Sequence, residues 1–300
     1  MSLDCLVEMS NRYGADEQYV LLGGGNTSYK DGNVMYVKGS GTPLATIAAD
    51  EFVAMDLQLL RDTLSFEYPA EMSAAEIEAK SFDLIMDARL SGQEAKRPSV
   101  ESILHALFPY KYVLHVHPTL VNGLTCSVNG EQEMQRLFGE ASHYPAVWVL
   151  SKPPGPGLAR ELAEVLTVTG GRNPCEGEGF VTDFPKLAFL QNHGIFIAAD
   201  SVGEIDDIMA YVMDKLTACV TEFPDFTDVP PDVDTLELMN NPLTPEQALY
   251  FLGSFRSREK DVQTLILNAC KIAVYAKSFG GANPLGEDVV KTMLEFNPYK

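Results

Sequence analysis

"SVESILHALFPYKYVLHVHPTL", residues 99–120, reads as a short helix running almost directly into an apolar, β-branched strand. Along a strand alternate side chains share a face. His115 and His117 therefore point the same way, with Val116 turned to the opposite layer. The chain has 5 histidines in 300 residues, so two of them one residue apart form a concentrated pair. Side-by-side imidazoles suit a metal better than a packed core, yet two partly exposed histidines at a strand end would look the same. A third ligand and a base are needed to decide between these readings.

On the N-terminal side, residues 2–14 have the spacing of an opening helix ended by Gly14. "YVLLGGGNTSYKDGNVMYVKGSGTPLATI" (19–47) predicts strand, glycine loop, strand, turn at Asp31-Gly32, strand and a second glycine loop. "AADEFVAMDLQLLRDTL" and "SAAEIEAKSFDLIMDARLSG" both read as helices. Beyond the histidine strand, "AVWVLSKPPGPG" predicts a strand entering a stiff turn, and "LARELAEVLTVTG" a helix. "KLAFLQNHGIFIAAD" predicts two short strands hinged at Asn192-His193-Gly194. A helix with Ser201 as N-cap follows. The acidic, proline-rich stretch 224–237 reads as a connector. After it, Thr244, Pro245 and Gln247 have the spacing of a helix start with a capping box. We expect an α/β domain over 1–223 and a helical extension over 224–300 to which the sequence assigns no chemistry.

Composition narrows the function. The formal charge is −20, from 42 acidic and 22 basic residues, which argues against nonspecific nucleic-acid or anionic-membrane binding. A few local cations or amides can still hold an anionic small molecule. Cys5, Cys126, Cys175, Cys219 and Cys270 are scattered, so neither a disulfide framework nor a zinc-finger spacing is present. No signal peptide or membrane span is recognisable, and a cytoplasmic location is expected.

Three features carry chemistry. His193, in "FLQNHGIF", is the candidate third ligand; three neutral imidazoles leave positions open for substrate, the pattern of a catalytic Zn²⁺. His105 lies mid-helix, expected to face the core, and His143 in a loop. The glycine loops "GGGNTS" (23–28) and "KGSGT" (38–42) offer backbone N–H groups, with donors on Asn26, Ser28 and Ser40 and a charge on Lys38. They also read as two ordinary hairpin turns, and neither fits a nucleotide fingerprint. Glu101 is a candidate base beside a metal, although a solvated helix residue would look alike.

In order, G-G-x-N-x-S, V-K-x-S-G, S-x-E-x-x-x-H, H-x-H-P and Q-x-H-G resemble the class II aldolase/adducin family over about residues 3–220. The wording of the first two is most similar to the aldolase part of bifunctional rhamnulose-phosphate aldolase/alcohol dehydrogenases; without a dinucleotide fingerprint, the dehydrogenase half is expected to be absent. The resemblance implies a three-layer α/β/α domain around a mostly antiparallel sheet, assembled as a homotetramer. It implies Zn²⁺, or another divalent metal such as Mn²⁺ or Co²⁺, on His115, His117 and His193. It assigns substrate phosphate to Gly25, Asn26, Ser40, Gly41 and Ser99, and acid/base duty to Glu101. The implied reaction is cleavage of a phosphorylated ketose to dihydroxyacetone phosphate and an aldehyde through a metal-stabilised enediolate. Epimerases, dehydratases and decarboxylases share such a site, and adducin-like members are noncatalytic. Two positions depart from sugar-phosphate aldolases: Val100 replaces a second serine, and "KPPGPG" (152–157) has no tyrosine, leaving the proton donor to the aldehyde unassigned.

Overall fold

The computed structural model describes residues 3–170, 184–253 and 259–295. Cys175 lies outside them. Seven strands form one sheet: β1 (Asn26–Asp31), β2 (Val34–Lys38), β3 (Phe52–Asp56), β4 (Tyr112–Val116), β5 (Ala146–Val149), β6 (Leu187–Leu190) and β7 (Gly194–Ala199). Their spatial order is β3-β2-β1-β4-β7-β6-β5, antiparallel throughout except for β5 beside β6. The expected mostly antiparallel sheet is therefore present.

Alternation along β4 feeds two separate cores. Tyr112, Leu114 and Val116 enter one layer, covered by α1 (Asp4–Gly14), α5 (Thr119–Thr125), α6 (Gly130–Phe138) and α8 (Val202–Thr217). Val113 enters the other, covered by α2 (Leu57–Asp62), α3 (Ala74–Asp87), α4 (Ser102–Leu107) and α7 (Pro156–Gly170). Every residue of β6 and β7 is buried, which explains why both read as unbroken apolar runs rather than alternating ones. Side chains such as Phe196, fully buried, each contribute about 1.5–3 kcal/mol through area removed from water. The result is the three-layer α/β/α arrangement implied by the motif order.

Local signals act at several ends, as expected at Ser201 and Gly32. Ser73 caps α3 with Glu76 in a reciprocal capping box, and Ser201 caps α8. Gly32, at φ 56°, makes the β1–β2 turn.

Two expectations fail. Tyr19–Leu22 is not a strand: Tyr19 and Val20 donate to the Asp16 carbonyl, and Leu22 takes φ 53°, which turns the chain toward the glycine loop. Residues 48–64 are not one helix. Phe52–Asp56 instead forms β3 along β2, and the Asp56 side chain then caps α2 by accepting from Leu59 N–H. Strand pairing with burial of Phe52, Val53 and Met55 outweighs a helical spacing pattern there.

The C-terminal segment adds α9 (Thr235–Asn240), α10 (Pro245–Phe251), α11 (Glu259–Ala276) and α12 (Glu287–Glu295). Helix α11 packs against α5 so closely that a Cβ on Gly123 would lie 2.4 Å from the Cβ of Tyr275. Thr244 caps α10 as expected, but Gln247 completes only half of the predicted box. Its Oε1 accepts from Leu243 N–H instead of from Thr244.

Candidate metal centre and anion-binding cavity

The centre lies where β1, β4 and β7 end together. Asn26, His115 and Phe196 are neighbours across the three strands. The His115 ring stacks on Phe196, 4.2 Å between centroids. His117 follows one residue beyond β4. His193 sits in the β6–β7 turn after Asn192, whose φ of 57° bends the chain sharply enough to return His193 to the strand ends. Pairing of β7 with β4 closes the sequence gap, and the turn at Asn192 places His193 at the strand ends.

The three imidazoles converge by their Nε2 atoms. His117 Nε2 lies 2.9 Å from His115 Nε2, which lies 3.3 Å from His193 Nε2. Glu101, at the start of α4, brings Oε1 to 3.3 Å from His193 Nε2 and Oε2 to 3.5 Å from His115 Nε2. His115 Nδ1–H donates to the Ile195 carbonyl at 3.0 Å, so its Nε2 carries a lone pair. Burial, together with the neighbouring imidazoles, pushes the His115 pKa far down and that of His193 to about 3. Glu101 Oε1 is buried without a hydrogen-bond partner. Neutral nitrogens and an unsatisfied carboxylate oxygen facing one point are the donor set a divalent cation requires. The residues present fit a divalent metal.

Behind Glu101 stands a buried chain of hydrogen bonds. Ser28 Oγ–H donates to His105 Nδ1 at 2.8 Å, His105 Nε2–H donates to Asn26 Oδ1, and Asn26 Nδ2–H donates to Glu101 Oε2 at 2.7 Å. His105, fully buried as expected of a core-facing residue, takes no part in the metal cluster. Asn26, which the resemblance assigns to substrate phosphate, has its side-chain oxygen and one amide N–H in this chain. It orients the carboxylate. Burial raises the Glu101 pKa, against the opposing pull of His117 and Asn26.

A cavity of about 360 Å³ opens from this centre. Gly25, Asn26, Ser40, Gly41 and Ser99 all line it, with Glu101, His117 and His193. The second glycine loop is joined to the segment leading into Ser99 by the bridge between Gly39 and Pro98 and the Ser40 N–H to Arg97 carbonyl bond of 2.7 Å. Gly25 can be nothing larger: at φ 70°, a Cβ there would lie 2.9 Å from the His115 carbonyl. Lys38 also lines the cavity, almost fully buried, with its pKa lowered to about 8 by burial against the attraction of Glu101. Val100, and Pro154 of the 152–157 turn, form apolar wall.

One part of the site escaped the sequence reading. Glu246 of α10 reaches His117 Nδ1 at 2.5 Å and lines the cavity with Leu249 and Tyr250. Burial opposes ionisation of Glu246, but His117 outweighs it and holds the carboxyl at about 2; Glu246 in turn raises His117 against burial. The Thr244-Pro245-Glu246 helix start was visible, but its position 129 residues after His117 gave no hint of contact.

Residues 6–217 match the family model for the class II aldolase and adducin N-terminal domain. The chain belongs to that family. The family match ends before the segment that carries Glu246. An uncharacterized oxidoreductase, YuxG, of Bacillus subtilis (strain 168) is 34% identical over 199 residues, 63% of this chain. This chain spans about a quarter of that relative, 25% of its length. The N-terminal class II aldolase domain of a conserved protein from Thermoplasma acidophilum shares the fold, with TM-score 0.56 and 25% identity over 73% of this chain and 93% of that one. YgbL of Klebsiella pneumoniae, a putative aldolase/epimerase/decarboxylase, matches at TM-score 0.46 and 17% identity over 73% and 89% of the two chains. Among the described residues, no helix is long and apolar enough to cross a membrane.

Proposed function

We propose that this protein is a zinc-dependent, aldolase-type lyase that cleaves a phosphorylated ketose, of the rhamnulose- or fuculose-1-phosphate kind, to dihydroxyacetone phosphate and an aldehyde. The observation that carries the reading is the shared cavity: His117, His193 and Glu101 line one part, with His115 buried behind them, and the glycine loops with Lys38 line another. A sugar phosphate needs both, one for its reacting carbons and one for its anion.

His115, His117 and His193 would hold the metal, which when bound supplies Lewis acidity that stabilises negative charge beside the breaking carbon–carbon bond. Lys38, Ser40, Gly41 and Ser99 take the phosphate, the lysine as a point charge and the loops as donors. Glu101 moves the proton at the α-carbon. Its raised pKa brings it closer to neutrality than an ordinary carboxylate, as a reversible acid/base requires. Asn26 and His105 keep Oε2 fixed while Oε1 faces the centre. Val100, Pro154 and Leu249 exclude water from the carbanionic product. The reading includes a cytoplasmic homotetramer, in keeping with the family resemblance.

The test is metal analysis of the purified protein, followed by a ketose 1-phosphate screen for released dihydroxyacetone phosphate. About one zinc per chain and release from at least one ketose are expected. Isomer interconversion, water loss or carbon dioxide release in place of cleavage would move the reaction to an epimerase, dehydratase or decarboxylase. A metal-free protein with no turnover would favour an adducin-like interaction role.

A further inference from the structure

We propose that Glu246, outside the family-matched domain, is a positioning residue of the metal centre, so that the C-terminal segment completes the site in cis. The proposal rests on the metal-centre reading above, although not on which reaction the centre performs.

The geometry is specific. Glu246 Oε1 lies 2.5 Å from His117 Nδ1, on the opposite edge of the ring from the Nε2 that faces His115. A carboxylate accepting Nδ1–H fixes the ring's orientation and its tautomer, and leaves the Nε2 lone pair directed at the metal position. His115 receives the same service from the Ile195 carbonyl within the family domain. For His117 it comes from α10.

Helix α10 is not free to drift. Gln247, fully buried, donates from Nε2 to Asn268 Oδ1 at 3.4 Å, and Asn268 Nδ2 donates to Thr119 Oγ1 at 3.0 Å. Asn192, next to the third histidine, donates from Nδ2 to the carbonyls of Leu243 and Asn283 at 3.2 and 2.6 Å. The segment that carries Glu246 is thus tied to both histidine-bearing regions.

The experiment is chelator competition for Zn²⁺ on the full-length protein without substrate, comparing wild type, Glu246→Gln and Glu246→Ala. Glu246→Ala should weaken zinc binding about 10–100-fold, the usual effect of losing a hydrogen-bond partner behind a ligand. Glu246→Gln retains an acceptor and should recover only part of the loss, whereas a role in packing alone would be recovered in full by this isosteric change. Far-UV circular dichroism and the melting temperature of the metal-free variants should match wild type, which separates ligand positioning from unfolding. Zinc affinity within about threefold of wild type in Glu246→Ala, or equal losses in both folded variants, would overturn the proposal. A wild-type protein with no zinc affinity would instead refute the metal centre itself. Absence of aldolase turnover with the graded zinc affinities intact would refute only the reaction.

Discussion

Glu101 is the residue on which the chemistry turns, and its surroundings make its role measurable. Glu101→Gln keeps shape and the contact with Asn26 but cannot transfer a proton. Exchange of the α-proton of dihydroxyacetone phosphate with deuterated water should slow by about 10²–10⁴-fold. Zinc content should persist on three histidines. Equal exchange in both proteins would place the base elsewhere. Lys38 gives a second residue-level test through pH. Its ammonium, with pKa about 8, is charged below that value. If it binds the phosphate, kcat/KM for a phosphorylated ketose should fall as pH rises through about 8, and Lys38→Met should remove that inflection. The same group affects folding with a definite sign. Between about 8 and its ordinary 10.5, the unfolded chain holds a proton that the folded lysine has lost, so its contribution to stability rises with pH across that window.

Elements meet at the strand ends, and Gly194 marks the tightest junction. A Cβ there would lie 2.5 Å from the Val116 carbonyl and 2.6 Å from His117 Cδ2. Gly194→Ala must therefore separate β7 from β4 or displace the His117 ring. We expect a loss of about 1–3 kcal/mol, as for other overpacked sites, and zinc content below half an atom per chain with far-UV circular dichroism retained. Full zinc content at an unchanged melting temperature would contradict this contact. Element scale is also where sequence reading worked best and where it stopped. The His115/His117 face, the His193 hinge and the Ser201 cap followed from period, backbone freedom and capping chemistry, all local causes. Asp56 looked like one more helical residue because its capping role exists only after β3 has paired with β2. Asn26 was legible as a donor, but its partners Glu101 and His105 are 75 and 79 residues away. Lys38 was visible as a charge; its burial, which sets its pKa, depends on the folded cavity.

At the scale of the whole molecule, the question is whether the sheet domain and the C-terminal helices melt as one unit. Asn192 is the place to ask it, because one side chain spans the β6–β7 turn and the carbonyls of Leu243 and Asn283. Replacing it by glycine keeps the φ of 57° accessible but removes two hydrogen bonds, at about 0.5–1.5 kcal/mol each. Replacing it by alanine removes the same bonds and adds the penalty of a Cβ in the left-handed region, about 1–2 kcal/mol. Stability should fall in the order wild type, Asn192→Gly, Asn192→Ala. Trp148, the single tryptophan, sits in β5 far along the sheet from β3, while α9–α12 contribute to the helical signal. Urea transitions followed by tryptophan fluorescence and by far-UV circular dichroism should coincide in wild type. In Asn192→Ala the helical signal should begin to fall at lower urea than the fluorescence, because the tie between the sheet and the helices has been cut. Coincident transitions at the wild-type midpoint would show that the Asn192 bonds add nothing to the docking, and that the contact of α11 with α5 holds the segment by itself.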